Sequence, residues 1–378
     1  MRVMRERRES TNAMPRHILS VDQFDRAYLL DLFAHANRLR HLPRTAQRSR
    51  LMTSILASVF YEPSTRTRLS FESAMARLGG SVLSVENANE SSSATKGESI
   101  EDTARMLQGY ADAIVMRHPE PGMPERASRV VDVPVINAGD GAREHPTQAL
   151  LDLYTIKSEL GQIDDLDVAI VGDLKYGRAP RSLALLLCQT CGTRVTFLAP
   201  PTVPVGDDIK HALEQHDISY REATSFEEIS GADVIYQTRI QRERFANQES
   251  YEQSRGYYVI DRSVMELLKP EAIVLHPLPR VDEISPEVDS DPRAAWLVWC
   301  DGRAISWAGL RHAPETPHPC KRWLRAALCW LDRSGPRRPL RAHGQTTRPG
   351  AGSRAGARLR VRGRSGAVAR TSPGRPRW

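Results

Sequence analysis

The sequence is poor in cysteine: Cys188, Cys191, Cys300, Cys320 and Cys329 are the only thiols in 378 residues. That excludes a disulfide framework as a source of stability and fits a reducing compartment. Long apolar runs are missing as well. None approaches the roughly 20 residues of a membrane span, so no membrane partner is expected. Residues 1–17 form a basic extension with Arg2, Arg5, Arg7 and Arg8. It carries no apolar stretch of the secretory kind, and Glu6 and Glu9 interrupt its charge. A cytoplasmic location is the expectation. Carboxylates vanish from 334–378, which holds twelve Arg and no Asp, Glu or Lys. Taking those twelve charges from the formal +7 leaves −5, so the body is mildly acidic and the basic character belongs to a tail. That tail has almost no aromatic side chains to stack on bases, and nucleic acid is not an expected partner.

What is present is the pattern of an α/β protein. Apolar residues make up 40% of the chain, enough for a core, and the length suffices for two domains. Short runs rich in Val, Ile or Phe predict strands at 55–60, 81–85, 113–116, 133–137, 168–171, 194–198, 234–237 and 273–275. Helical spacing predicts helices at 66–78, 99–110, 146–159, 180–191 and 207–216. The alternation implies two doubly wound domains, each with a mainly parallel sheet, split near 150–160. The active site is expected in the interdomain cleft, at the carboxyl ends of the strands.

Several stretches carry groups suited to chemistry. Ser64-Thr65-Arg66-Thr67-Arg68 follows a predicted strand through Glu62-Pro63 and opens a helix. Unpaired N–H groups, a positive dipole end, hydroxyls and a guanidinium together suit a phosphate. A Ser N-cap with solvated arginines is the plainer alternative. Met116-Arg117-His118-Pro119 ends a strand. His145-Pro146-Thr147-Gln148 opens a helix, placing His145 and Gln148 on one face where both can donate to a carbonyl oxygen. By itself, His145 also suits a satisfied structural role. Residues 91–98, with Ser92 and Lys96, read as a mobile loop able to bring a positive charge to a substrate. Further on, 172–178, 238–244 and 276–280 each follow a strand. Their arginines suit a dicarboxylate, because the planar fork pairs bidentately with a carboxylate, although solvated polar loops have the same composition. Cys188 and Cys191 lack a second ligand pair, so no metal site is expected, and they are read as closing an apolar helix.

Together these motifs resemble those of the aspartate/ornithine carbamoyltransferase family over residues 18–295. The S-T-R-T-R and H-P-x-Q patterns are common to the family. Thr238-Arg239-Ile240-Gln241-Arg242-Glu243-Arg244 and His276-Pro277-Leu278-Pro279-Arg280 are of its aspartate type; the Ser-Met-Gly motif and the Cys in place of Pro277 that an ornithine enzyme would show are absent. The resemblance implies transfer of the carbamoyl group of carbamoyl phosphate to L-aspartate, in pyrimidine biosynthesis, with no metal and no cofactor. It implies that Ser64, Thr65, Arg66 and Thr67 hold the phosphate. Arg117, His145 and Thr67 would polarise the carbamoyl oxygen, and Gln148 would contact the carbamoyl amide. Arg178, Arg239 and Gln241 would hold aspartate. The carbonyls of Pro277 and Leu278 would accept from substrate amino groups, with a cis bond before Pro279. Ser92 and Lys96 would reach into the site of a neighbouring subunit of a homotrimer, Lys96 touching both substrates. Glu62 would pair with Arg178 and Arg244. The domains implied are 18–152 for carbamoyl phosphate and 153–295 for aspartate. Transfer to another amine acceptor, or a non-catalytic family member, are the competing readings. The motifs say nothing of regulatory subunits.

The resemblance stops at Ala295. The family continues with an aromatic-Phe-Arg-Gln stretch and a final amphipathic helix, whereas this chain continues with Trp296-Leu297-Val298-Trp299-Cys300-Asp301. All six tryptophans lie from Trp296 onward, and Arg, Gly, Pro and Ala then dominate, the composition of a GC-rich gene read out of frame. Residues 296–378 are read as an atypical, frame-shifted segment, largely disordered from about 334. Losing the closing helix would expose apolar surface and weaken the domain pair.

Overall fold

Stretches that are apolar on both faces become buried parallel strands. The computed structural model describes residues 16–242, 248–252 and 255–296. Strands β1 (Ile55–Phe60), β2 (Ser81–Glu86), β3 (Ala113–His118) and β4 (Val135–Asp140) form one sheet in the order β2-β1-β3-β4, every pair parallel. Strands β5 (Asp167–Val171), β6 (Arg194–Leu198), β7 (Ser219–Ala223), β8 (Val234–Gln237) and β9 (Ile273–Leu275) form a second, in the order β7-β6-β5-β8-β9, also parallel. Leu56 and Phe60 point to one core while Ala57 and Val59 point to another. Val168 and Ile170 alternate with Ala169 and Val171 in the same way. Burial on both faces explains why the strands read as apolar runs rather than alternating ones. The unpredicted strand β7, Ser-Tyr-Arg-Glu-Ala, is an edge strand with mostly exposed side chains, which removes the apolar signal.

The longer helices are α1 (Arg26–His41), α2 (Thr65–Arg77), α3 (Ile100–Gln108), α4 (Pro146–Leu160), α5 (Arg178–Leu187) and α6 (Asp207–Gln215). Of these, α1 was not expected. Asp25 caps it by accepting from the Tyr28 N–H at 2.7 Å, and Leu29, Leu32, Phe33, Ala36 and Leu39 form its buried stripe. One continuous core joins α1 with α4, α5 and one face of each sheet. The Phe33 and Tyr154 rings pack at 5.5 Å, and the Tyr154 hydroxyl donates to Asn37. The split expected near 150–160 falls inside α4, which runs unbroken from one half of the molecule into the other. Residues 91–98, expected as a loop, instead form short helical turns at Ala88–Ser91 and Ser93–Lys96. Cys188 caps α5 and is buried, whereas Cys191 is exposed. Trp296, expected in the atypical segment, is fully buried in the second-sheet core beside Ala294, with the Arg280 guanidinium 5.9 Å from its ring. An indole of that size belongs to the core it fills. The rest of the segment, 297–378, and the extension through residue 15 lie outside the described residues. No described helix is long and apolar enough to cross a membrane.

In each sheet the winding reverses between two central strands, β1 and β3 in one, β5 and β8 in the other. Just past these strands the backbones stay joined: the Tyr61 N–H donates to the Arg117 carbonyl, and the Thr238 N–H donates to the Val171 carbonyl, both at 2.8 Å. Gly172 (φ +116°) permits the second approach, since a Cβ there would sit 2.2 Å from the Thr238 carbonyl oxygen. Such reversal points open crevices at the carboxyl ends of the strands.

Candidate active site

The two reversal points contribute to one cavity of about 490 Å³. From the first sheet its wall takes Glu62, the opening of α2 and Arg117 at the end of β3. The opening of α4 adds His145, Thr147 and Gln148. From the second sheet come Arg178 at the start of α5, Thr238, Arg239 and Gln241 after β8, and His276 to Pro279 after β9.

At the opening of α2, Ser64 holds the N-cap position but its side chain makes no capping hydrogen bond. The plainer reading of Ser64 as a simple cap therefore does not describe it. Ser64, Thr65, Arg66 and Thr67 all line the cavity at a helix end whose N–H groups lack helical partners. Arg68, the last residue of the motif, pairs with Glu86 at 2.8 Å and does not line it.

Four arginines of the wall, Arg66, Arg117, Arg178 and Arg239, confront one carboxylate, Glu62. Glu62 accepts from Arg117 Nη2 at 3.0 Å and from Arg178 Nη1 at 3.1 Å, so a single acid spans the two halves. Arg178 is the partner expected. Arg244 lies outside the described residues, and Arg117 is a partner the sequence did not suggest. Burial alone would push Glu62 up, but Arg178 and Arg117 outweigh it and hold the carboxyl below its usual range. Burial, helped by Arg178, brings Arg117 down to about 10, which still leaves it charged at neutral pH. Its Nε is buried without a hydrogen-bond partner among the described residues. Gly139 (φ +114°) backs this pair, because a Cβ would lie 3.3 Å from the Arg178 guanidinium carbon and 3.4 Å from Arg117 Nη1.

His145 stands at the N-cap of α4 with its N–H donating to Ser182 Oγ at 2.9 Å. Burial first, then Arg178 and Arg117, hold its imidazole well below the ordinary value, so it is neutral. The Thr147 hydroxyl lies 3.3 Å from Nδ1. If Thr147 donates there, the ring proton sits on Nε2, leaving a neutral donor. Gln148 donates through Nε2 to Asp152 at 2.8 Å.

The second half rests on loops held by buried groups that the linear motifs did not single out. Asp173 accepts from the N–H groups of Tyr176 (2.9 Å) and Gln241 (3.3 Å), tying the loop after β5 to the loop after β8. After β9, His276 Nδ1 accepts from the Leu278 N–H at 2.8 Å, and Nε2 lies 2.7 Å from Glu283. Glu283 also accepts from the Val281 and Asp282 N–H groups. The peptide before Pro279 is cis, as expected, and Pro277 and Leu278 line the cavity. Asp173, His276 and Glu283 lie inside or beside the quoted motifs, but nothing in their spacing marks them as loop anchors. Ser92 and Lys96 are the expected site residues that do not line this cavity; Lys96 ends the second short turn after β2 and Ser92 lies between the two turns, its Oγ donating to the Ala88 carbonyl at 2.5 Å.

A cationic crevice with two helix openings on one side and arginine-bearing loops on the other is a site for small polyanions in a doubly wound pair of sheets. The carbamoyl-P binding domain of the aspartate/ornithine carbamoyltransferases matches residues 16–158, and their Asp/Orn binding domain matches residues 164–299. The chain belongs to the aspartate/ornithine carbamoyltransferase family, and the match runs slightly past Ala295. Among relatives, it is 50% identical to the chloroplastic aspartate carbamoyltransferase of Arabidopsis thaliana over 283 residues, 74% of this chain and 73% of that protein. It is 48% identical to the aspartate carbamoyltransferase catalytic subunit of Thermofilum pendens, over 75% of this chain and 89% of that one. Among solved structures, it is similar to the catalytic subunit of M. jannaschii aspartate transcarbamoylase (TM-score 0.73, 40% identity, 84% of this chain and 97% of that one). It is also similar to the Trypanosoma cruzi aspartate transcarbamoylase in complex with carbamoyl phosphate (TM-score 0.72, 36% identity, 83% and 95%).

Proposed function

We propose that this chain transfers the carbamoyl group of carbamoyl phosphate to the α-amino group of L-aspartate, releasing N-carbamoyl-L-aspartate and phosphate, a step of pyrimidine biosynthesis. The observation that carries the reading is the shared wall: Ser64–Thr67, Arg117 and His145 from one half face Arg178, Arg239 and Gln241 from the other across one cavity. The relatives' names, which specify aspartate, support the choice of acceptor.

In this reading the opening of α2 takes the phosphate, as helix N-termini do. Arg239, Arg178 and Gln241 take the aspartate carboxylates. The neutral amine attacks the carbamoyl carbon, and the C–N bond forms as the carbonyl π pair moves onto oxygen. Arg117, neutral His145 and Thr67 stabilise that oxyanion; each preorganised donor of this kind contributes ~3–4 kcal/mol. The C–O bond to phosphate then breaks, and the leaving phosphate carries off the amine proton. Turnover with aspartate, set against ornithine at equal concentration, tests the assignment; a preference for ornithine would sink it.

Ser92 and Lys96 belong, in this proposal, to the site of a neighbouring subunit in a homotrimer. Their position outside the chain's own cavity and the apolar exposure around the first-sheet edge, with Leu69 50% and Leu83 45% exposed, support it. Mixing Lys96→Ala with Arg66→Ala subunits should then restore activity, and hybrids as inactive as their parents after confirmed exchange would exclude sharing. We also propose a cytoplasmic location, and that the segment from 297 is a frame-shifted replacement that lowers stability. Restoring the frame after codon 296 should raise both melting temperature and turnover, whereas equal values would mark the segment as a tolerated extension.

A further inference from the structure

Asp152 lies behind the cavity rather than in it. It is 1% exposed, one turn past Gln148 on α4, and no cation neutralises it among the groups that shift its ionisation. Two donors converge on it: Gln148 Nε2 on Oδ1 at 2.8 Å, and the hydroxyl of fully buried Tyr236, from β8, on Oδ2 at 2.7 Å. With Nε2 donating to Oδ1, the Gln148 amide turns its NH₂ toward Asp152. The Gln148 carbonyl oxygen is then the end left for the cavity, which Gln148 lines. Tyr236 closes the other oxygen, so the carboxylate cannot swing to release Gln148 without losing a buried hydrogen bond. Burial pushes Asp152 up to about 7, against the pull of Tyr236 and Gln148, so an isolated acid is kept here without stabilising the fold by its charge.

We propose that Asp152 is a positioning residue that locks the Gln148 amide with its carbonyl oxygen facing the cavity, so that the site selects an acyl phosphate bearing N–H donors on its carbonyl carbon over one bearing a methyl group. This rests on the reading of the cavity as a carbamoyl phosphate site. An oxygen-first glutamine accepts from the carbamoyl NH₂ and finds nothing to accept from in an acetyl group of the same size and charge. Because Tyr236 lies two residues before Thr238, the same carboxylate also fixes the α4 helix against the strand that carries the second-substrate loop.

The test is calorimetric binding of carbamoyl phosphate and acetyl phosphate to the full chain and to Asp152→Asn. The wild-type chain should prefer carbamoyl phosphate by about tenfold, the weight of one hydrogen bond. The amide introduced by Asp152→Asn can accept from Tyr236 and donate to Gln148, which turns the Gln148 amide over and presents NH₂ to the cavity. Carbamoyl phosphate should therefore weaken about tenfold while acetyl phosphate stays where it was. If both weaken together, Asp152 is merely structural and the proposal is wrong; an undiminished preference in the variant overturns it as well. Should Asp152→Asn not fold, Asp152→Ala, which frees the amide to rotate, must lose the preference in the same way. A wild-type chain that binds neither phosphate would instead remove the underlying site reading, and this proposal with it.

Discussion

The two halves of the cavity are built by different means. In the first-sheet half the ligand-facing groups sit on helix openings and strand ends: Ser64 to Thr67 on α2, His145 and Gln148 on α4, Arg117 on β3. Their positions are set by backbone hydrogen bonding, so they cannot move far without unwinding an element. In the second-sheet half, Arg239, Gln241, Pro277 and Leu278 sit on loops, and those loops are held by buried side-chain acceptors, Asp173 in one and the His276–Glu283 pair in the other. A rigid phosphate half and a loop-built acceptor half fit a site in which one substrate is shared across a family and the other distinguishes its branches. Glu62 is the exception that joins them, since it holds one arginine of each half.

The largest expected effect is on the oxyanion. Arg117→Ala should lower kcat by about 10²–10³-fold, as removal of a preorganised donor does; steady-state turnover with unchanged kcat would move the oxyanion elsewhere. The contrast between halves comes next. Arg66→Ala should weaken carbamoyl phosphate by ~1.5–3 kcal/mol with little change for aspartate, whereas Arg239→Ala should raise the aspartate KM by about tenfold or more and spare carbamoyl phosphate. If either variant moves both constants equally, the two halves are not separate binding sites. Smaller still is the effect of the bridging acid. Glu62→Gln leaves Arg117 and Arg178 facing each other without a carboxylate. It should lower stability by about 1–2 kcal/mol, less than a fully buried pair because the Glu62 side chain is 29% exposed. A thermal melt reads this, and saturating carbamoyl phosphate should recover more of the melting temperature in the variant than in the wild type. The smallest effect is an absence. The folded-state pKa of His145 is displaced well below its ordinary value, so lowering the pH from 8 to 6 does not charge it. The profile of kcat/KM should show no limb from this residue near 6.5. A limb there that disappears in His145→Gln would contradict its neutral role.

Local pattern made a large part of this legible. Eight of the nine strands among the described residues stand out as short apolar runs; in all of them but the edge strand β2 most side chains are buried, and the composition reports that directly. Strand β7 escaped because its Ser, Arg and Glu leave no apolar run, whereas the equally exposed edge strand β2 keeps Val82, Leu83 and Val85. Helix α1 escaped although its capping Asp25 and its stripe of Leu29, Phe33 and Ala36 were available to read. The site motifs were legible because each follows a strand end or opens a helix, places where the backbone itself offers unpaired donors. Trp296 was misplaced because the tryptophan-rich composition begins with it, while its burial depends on Ala294 and the second-sheet core.

By itself, then, the order of residues determined the alternation of strands and helices, the motifs at their ends and the family to which they belong, since each is a matter of neighbours along the chain. Only the tertiary structure decided that Arg117, 55 positions from Glu62, joins Arg178 on that carboxylate. It likewise decided that Gln148 is turned by an acid which Tyr236, 84 positions from that acid, holds in place. Which donor an acid receives, and whether an imidazole keeps its proton, depends on burial and on partners that folding brings within 3 Å or so. No local pattern carries that information, because the same residues in water would each be hydrated, ordinarily charged and free to turn.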